Sequence, residues 1–156
     1  MSAQLIFDTA PLGALIHFSD GNPMPPARFA RKLASWEERN GIGRLVRREP
    51  AVIRGNHIST PSITLHHGDF ASGGIVVLMA YMTYAVSSDL TFEIVERPAP
   101  GSVRALHPFG EAMELLHLAA DMAQAEQWLR VHNHRGAILD PVNVEDDSAA
   151  PVSLQA

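Results

Sequence analysis

Three rhythms of apolar and polar positions run along this chain, and each predicts a different kind of element. Over residues 27–40 the apolar side chains Phe29, Leu33 and Trp36 recur at steps of four and three, the stripe of an amphipathic helix. Pro25-Pro26 suit its first turn and Asn40-Gly41 its end. A second helix is expected from an Asp121 cap to about residue 131, with Met122, Ala125, Trp128 and Leu129 inward. Strict alternation marks residues 61–67, where Ile63, Leu65 and His67 share one face and Ser62, Thr64 and His66 the other. Residues 90–94 alternate in the same way. Residues 5–7, 12–18, 42–48, 103–106 and 137–139 read as further short strands. Residues 75–84 are apolar almost throughout and read as a central strand, while residues 111–118 fit either a helix or a strand. The glycine-bearing stretch 68–74 between two strands reads as a loop.

This order predicts an α+β fold: a mainly antiparallel sheet with two or three helices packed on one face. A chain of 156 residues has room for one domain, expected over 1–140, followed by a loose acidic C-terminal tail over 141–156. No apolar run reaches the ~18 residues of a spanning helix, so no membrane partner is expected. The first residues carry no basic stretch ahead of a long apolar one, which predicts no signal peptide and a cytoplasmic protein. Cysteine is absent, which excludes disulfides, thiolate metal sites and cysteine nucleophiles.

The net charge of −5 conceals a strong asymmetry. Residues 28–54 hold eight basic and three acidic side chains, a balance of +5, against −10 for the remainder. The basic ones are Arg28, Arg31, Lys32, Arg39, Arg44, Arg47, Arg48 and Arg54. On the first helix the charges oppose the macrodipole, with Arg28, Arg31 and Lys32 early and Glu37 and Glu38 late. A partner for that face is the sharper reading, and a solvated face is the plain one. Arginine suits bidentate contact with carboxylate or phosphate, so Arg28, Arg31, Lys32, Arg39, Arg44, Arg47 and Arg48 form the candidate partner-binding set.

Other chemistry has less support. Eight histidines include the local groups His66-His67-Gly68-Asp69 and His132-Asn133-His134. In a strand His66 and His67 face opposite ways, and neither group has a known metalloenzyme spacing. No metal and no cofactor are therefore expected. A metal-dependent hydrolase using His66 or His67, Asp69, His132 and His134 is the alternative from a different class. Ala71-Ser72-Gly73-Gly74 lacks the pattern of a nucleophile elbow, and no phosphate-binding glycine motif is present. Direct nucleic-acid binding through residues 28–54 is a third reading, opposed by the acidic remainder.

The wording of the first third, from Ile16-His17-Phe18-Ser19-Asp20-Gly21-Asn22-Pro23 through Pro25-Pro26-Ala27-Arg28-Phe29 and Asn40-Gly41 to Gly43-Arg44-Leu45-Val46-Arg47-Arg48, resembles small accessory proteins of bacterial plasmids and conjugative elements. That resemblance implies a bacterial accessory protein, of a class that includes inhibitors of host defence of the anti-restriction and anti-CRISPR kinds. It transfers no residue roles. The leading expectation is a non-enzymatic binding protein, self-associating as a homodimer, whose Arg-rich face docks an acidic protein or nucleoprotein surface.

Overall fold

In the computed structural model the described residues are 1–72 and 75–143, with the side chains of 68–72 and 75–79 left aside. The elements run α1 (Ala3–Thr9), β1 (Leu15–Ser19), α2 (Ala30–Arg39), β2 (Gly41–Glu49), β3 (Ile53–Arg54), β4 (His57–Ile58), β5 (Ser62–Ser72), β6 (Ile75–Ala85), β7 (Thr91–Glu96), β8 (Val103–Phe109), β9 (Ala112–Ala119), α3 (Met122–His132) and β10 (Ile138–Pro141). The fold is of the α+β class, and every strand pairing is antiparallel.

Strand β2 is the junction of the eight-stranded sheet. Its first half pairs with β1, from Leu15↔Arg44 to Phe18↔Gly41. It also pairs with β5, from Arg44↔His66 to Glu49↔Ser62, and meets β9 at Arg47↔Glu114. Three arms leave this junction: β1 to β7, β5 to β6, and β9 through β8 to β10. Gly43 permits the close approach of β2 to its neighbour β5, because a Cβ there would lie 2.8 Å from Leu65 Cβ. The inward faces of β1, β2, β5 and β7 supply Ile16, Phe18, Leu45, Ile63, Leu65 and Phe92, all fully buried. Tyr84 on β6 bridges Phe18 and Phe92, with ring centroids 5.3 and 5.7 Å away.

Residues 5–7 belong to a helix and not to the strand that their short apolar run predicts. The Ser2 hydroxyl accepts from the Leu5 amide at 3.2 Å, and Ala3, Ile6 and Ala10 are buried at helical steps of three and four. This first helix packs against β5 and β7, and α3 packs against β8 and β9. The expected central strand also needs correction, since β6 pairs only with β5 among the described residues. On this strand Tyr84 faces the core, while Tyr81, on the other face, meets His66 at 5.1 Å. Residues 111–118 resolve as strand, forming a hairpin with β8. The expected loop at 68–74 is mostly strand, as β5 runs to Ser72 and β6 begins at Ile75; residues 73 and 74 lie outside the described set. Pro141 still pairs with Val103 and Val142 is buried, while the acidic tail from residue 144 lies outside the described residues.

Candidate functional site

The amphipathic helix appears where its spacing predicts it, yet α2 buries no residue. Its apolar stripe is only half covered: Phe29 is 41% exposed, and Leu33 and Trp36 are of intermediate burial. The helix starts at Phe29, which offers no capping side chain, and no acidic residue sits in the first turn. Arg28 and Lys32 instead lie over the Phe29 ring, 4.9 and 5.1 Å from its centroid. They make a cationic, aromatic patch at the end of the helix where positive charge is least favourable, and Arg31 is exposed on the same turn.

The opposite end of α2 is held firmly. Asn40, 6% exposed, accepts from the Ser19 hydroxyl at 2.8 Å and the Asp20 amide at 3.2 Å. Its amide nitrogen donates to Asp20 Oδ1 at 3.0 Å and to the Trp36 carbonyl at 2.9 Å. The Trp36 indole donates to the Asn22 carbonyl at 2.8 Å. Asp20 is drawn down to about 2, first by the Asn22 amide and then by the Asn40 side chain. Arg39 completes the anchor with Asp20 at 3.5 Å and Asp89 at 3.0 Å.

The remaining arginines of residues 28–54 do different work. Arg44 donates to the Gly13 carbonyl at 2.6 Å and Arg48 to the Phe7 carbonyl at 3.2 Å. Arg104, from β8, donates to the Leu12 carbonyl at 3.4 Å. Together they satisfy carbonyls from the last turn of α1 to the start of β1, where Gly13 holds a φ of +97° with its Cβ position 3.0 Å from Pro98. Burial and then the nearby Arg104 lower the proton affinity of Arg48. Arg47 pairs with Glu49 at 2.5 Å and Glu114 at 3.5 Å, and lies 4.0 Å over the Phe109 ring. Arg54 is exposed on the separate β3–β4 hairpin. The structure thus brings Arg28 and Lys32 together over Phe29, leaves Arg31 exposed on the same turn, and commits Arg39, Arg44, Arg47 and Arg48 to contacts within the fold.

The histidines separate as alternation requires. His67 meets the core edge-on against Phe18 at 5.2 Å, and burial, then His66, lowers its pKa. His66 turns to the other face, beside a cleft of about 280 Å³ between β9 and the β2–β5–β6 ladder. Arg44, Val46, Tyr81, Leu116 and His117 share that lining. His132 and His134 both stack on Trp128, at 4.5 and 5.2 Å, and so does His117 at 5.0 Å. Among the described residues, no three His, Asp or Glu side chains converge on a point that could hold a metal ion.

A family model described as uncharacterised conserved protein UCP036055 matches residues 1–147. The chain belongs to that family. No curated protein and no solved structure matches it. The UCP036055 match spans every element from α1 to β10, so both the α2 patch and the cleft lie within it. Nothing in the match speaks to plasmids or conjugation.

Two groupings in this UCP036055 chain escape a sequence reading. Arg44 and His66 are cross-strand partners, and His117 reaches the same cleft from a third strand. Alternation indicates which face each residue takes, but not which strands pair. The Trp128 stack joins a strand to a helix and the segment after it, a contact with no signature in local spacing.

Proposed function

We propose that this protein acts by binding and not by catalysis, docking α2 on an acidic surface of a protein partner. The observation that carries the reading is the exposed Phe29 ring flanked by Arg28 and Lys32 on a helix with no fully buried residue. Most surface helices of small domains gain their stability by burying an apolar stripe. Here the stripe is half open, and its cations oppose the macrodipole until a negative surface meets them. A partner carboxylate cluster with an apolar centre would complement both features.

A protein surface suits the patch better than a phosphate backbone. Glu37 and Glu38 sit on the same short helix, and the chain carries a net charge of −5. The acidic excess of the remainder also makes a second copy an eligible partner of the same chemistry. The accessory-protein and host-defence role rests on the resemblance of the first third of the chain, and it is carried here as part of the proposal.

The test is capture of partners from a bacterial lysate with and without nuclease, followed by affinity measurement on the purified partner. Replacing Arg28, Arg31 and Lys32 by Glu should lower that affinity by at least about tenfold, a loss of roughly 1.4 kcal/mol. Binding that vanishes with nuclease, or that is untouched by the triple reversal, would overturn the reading.

A further inference from the structure

The cleft between β9 and the β2–β5–β6 ladder has a chemistry independent of α2. Its volume, about 280 Å³, falls just below the roughly 300–1,000 Å³ of pockets for drug-sized ligands, so it suits a small molecule. Val46 and Leu116 give it an apolar floor. Arg44, His66, Tyr81 and His117 contribute its polar rim, and among the described residues no carboxylate lines it. Among the described residues Arg44 is the one cation of that lining, and its bond to the Gly13 carbonyl fixes the guanidinium.

We infer that this cleft binds a small organic anion with an apolar body, a medium-chain or aromatic monocarboxylate, with Arg44 as the counter-ion. An anion there meets the fixed positive charge of Arg44 and the His117 imidazole, while its carbon body replaces water over Val46 and Leu116.

His117 links the cleft to the rest of the fold. Its ring stacks on Trp128 almost in parallel, 2° between planes. Burial, and then His132, hold it below the ordinary imidazole value. The titratable and charged groups around it are Arg44, His66 and Tyr81 across the cleft, and His132 and His134 on the same indole. A bound carboxylate favours the protonated ring, so binding strengthens as pH falls from about 7.5 toward 6.

The experiment titrates the full chain with octanoate and benzoate, following the imidazole signals of His66 and His117 by NMR, with acetate and octanol as the two half-ligands. Both acids are expected to saturate these signals, and both half-ligands to bind at least about tenfold more weakly. Leu116→Glu adds a carboxylate to the lining without touching the Arg44–Gly13 bond, and it should lower octanoate affinity by at least about tenfold. Arg44→Gln should do the same and serves as the second variant. Failure of both acids to saturate, octanol or acetate binding as tightly as octanoate, or undiminished affinity in Leu116→Glu would each overturn the inference.

Discussion

Arg39, in the last turn of α2, sets one guanidinium nitrogen against both carboxylate oxygens of Asp89, at 3.0 and 3.1 Å. This contact ties the helix to the turn ahead of β7 and orients the patch at its other end. Both partners are open to solvent, so the pair contributes less than ~1 kcal/mol to global stability. Arg39→Ala is therefore expected to leave the melting temperature almost unchanged while hydrogen exchange across residues 30–39 accelerates. Unchanged protection in α2 would show that Asn40 and Trp36 suffice as the anchor.

Asn40 carries more weight than that ion pair. It is buried, and Asn40→Ala would strand the Asp20 amide and the Trp36 carbonyl together, at a cost of about 1–3 kcal/mol in urea denaturation. The Asp20 carboxylate in this network titrates near 2, below its unfolded value. Its contribution is complete above about pH 4 and fades as pH falls toward 2. Asp20→Asn should flatten that part of the acid limb, and an acid limb identical to that of the unaltered protein would contradict the assignment.

Gly43 has its role in the close approach of β2 and β5. An alanine Cβ would stand 2.8 Å from Leu65 Cβ and 3.3 Å from the His66 carbonyl, contacts that two paired strands cannot both relieve. Gly43→Ala should destabilise by about 1–3 kcal/mol, read from the denaturation midpoint. A neutral effect would mean that the ladder slides freely there.

Much of this architecture is legible in the sequence, and the failures have physical causes. The stripe of Phe29, Leu33 and Trp36 locates α2, and Asp121 caps α3 as expected, accepting from the Gln124 amide at 2.8 Å. Leu5, Ile6 and Phe7 mislead because a run of three apolar residues suits a strand as well as a helix turn; the Ser2 cap decides. Ile75 to Ala85 misleads because an apolar run shows that a segment is extended and not how many neighbours it pairs with, and β6 pairs with β5 alone among the described residues. The basic segment is visible as a charge excess, but strand pairing alone assigns Arg44 and Arg48 to backbone carbonyls and Arg47 to Glu49 and Glu114. Linear charge density does not distinguish an arginine facing solvent from one facing a carbonyl.

Two half-buried imidazoles give the fold a second pH dependence. Burial lowers both His67 and His117, aided by His66 and His132 respectively. Their folded values lie below the unfolded value, so their contribution is complete above about pH 6.5 and is lost as pH falls through the depressed values. The urea midpoint should be lower at about pH 5.5 than at 7.5, and His117→Phe should reduce that difference. An unchanged difference in His117→Phe would remove His117 from the explanation.

The most direct test of the central claim sets two triple reversals side by side, measuring thermal unfolding and affinity for the captured protein partner. With Arg28, Arg31 and Lys32 replaced by Glu, the protein should melt like the original and lose its partner. With Arg44, Arg47 and Arg48 replaced by Glu, it should fail to fold, because the Phe7 and Gly13 carbonyls lose their donors and Glu49 and Glu114 lose their counter-ion. Full partner affinity in the first variant, or a well-folded second variant that alone loses the partner, would contradict the assignment of α2 as the docking element.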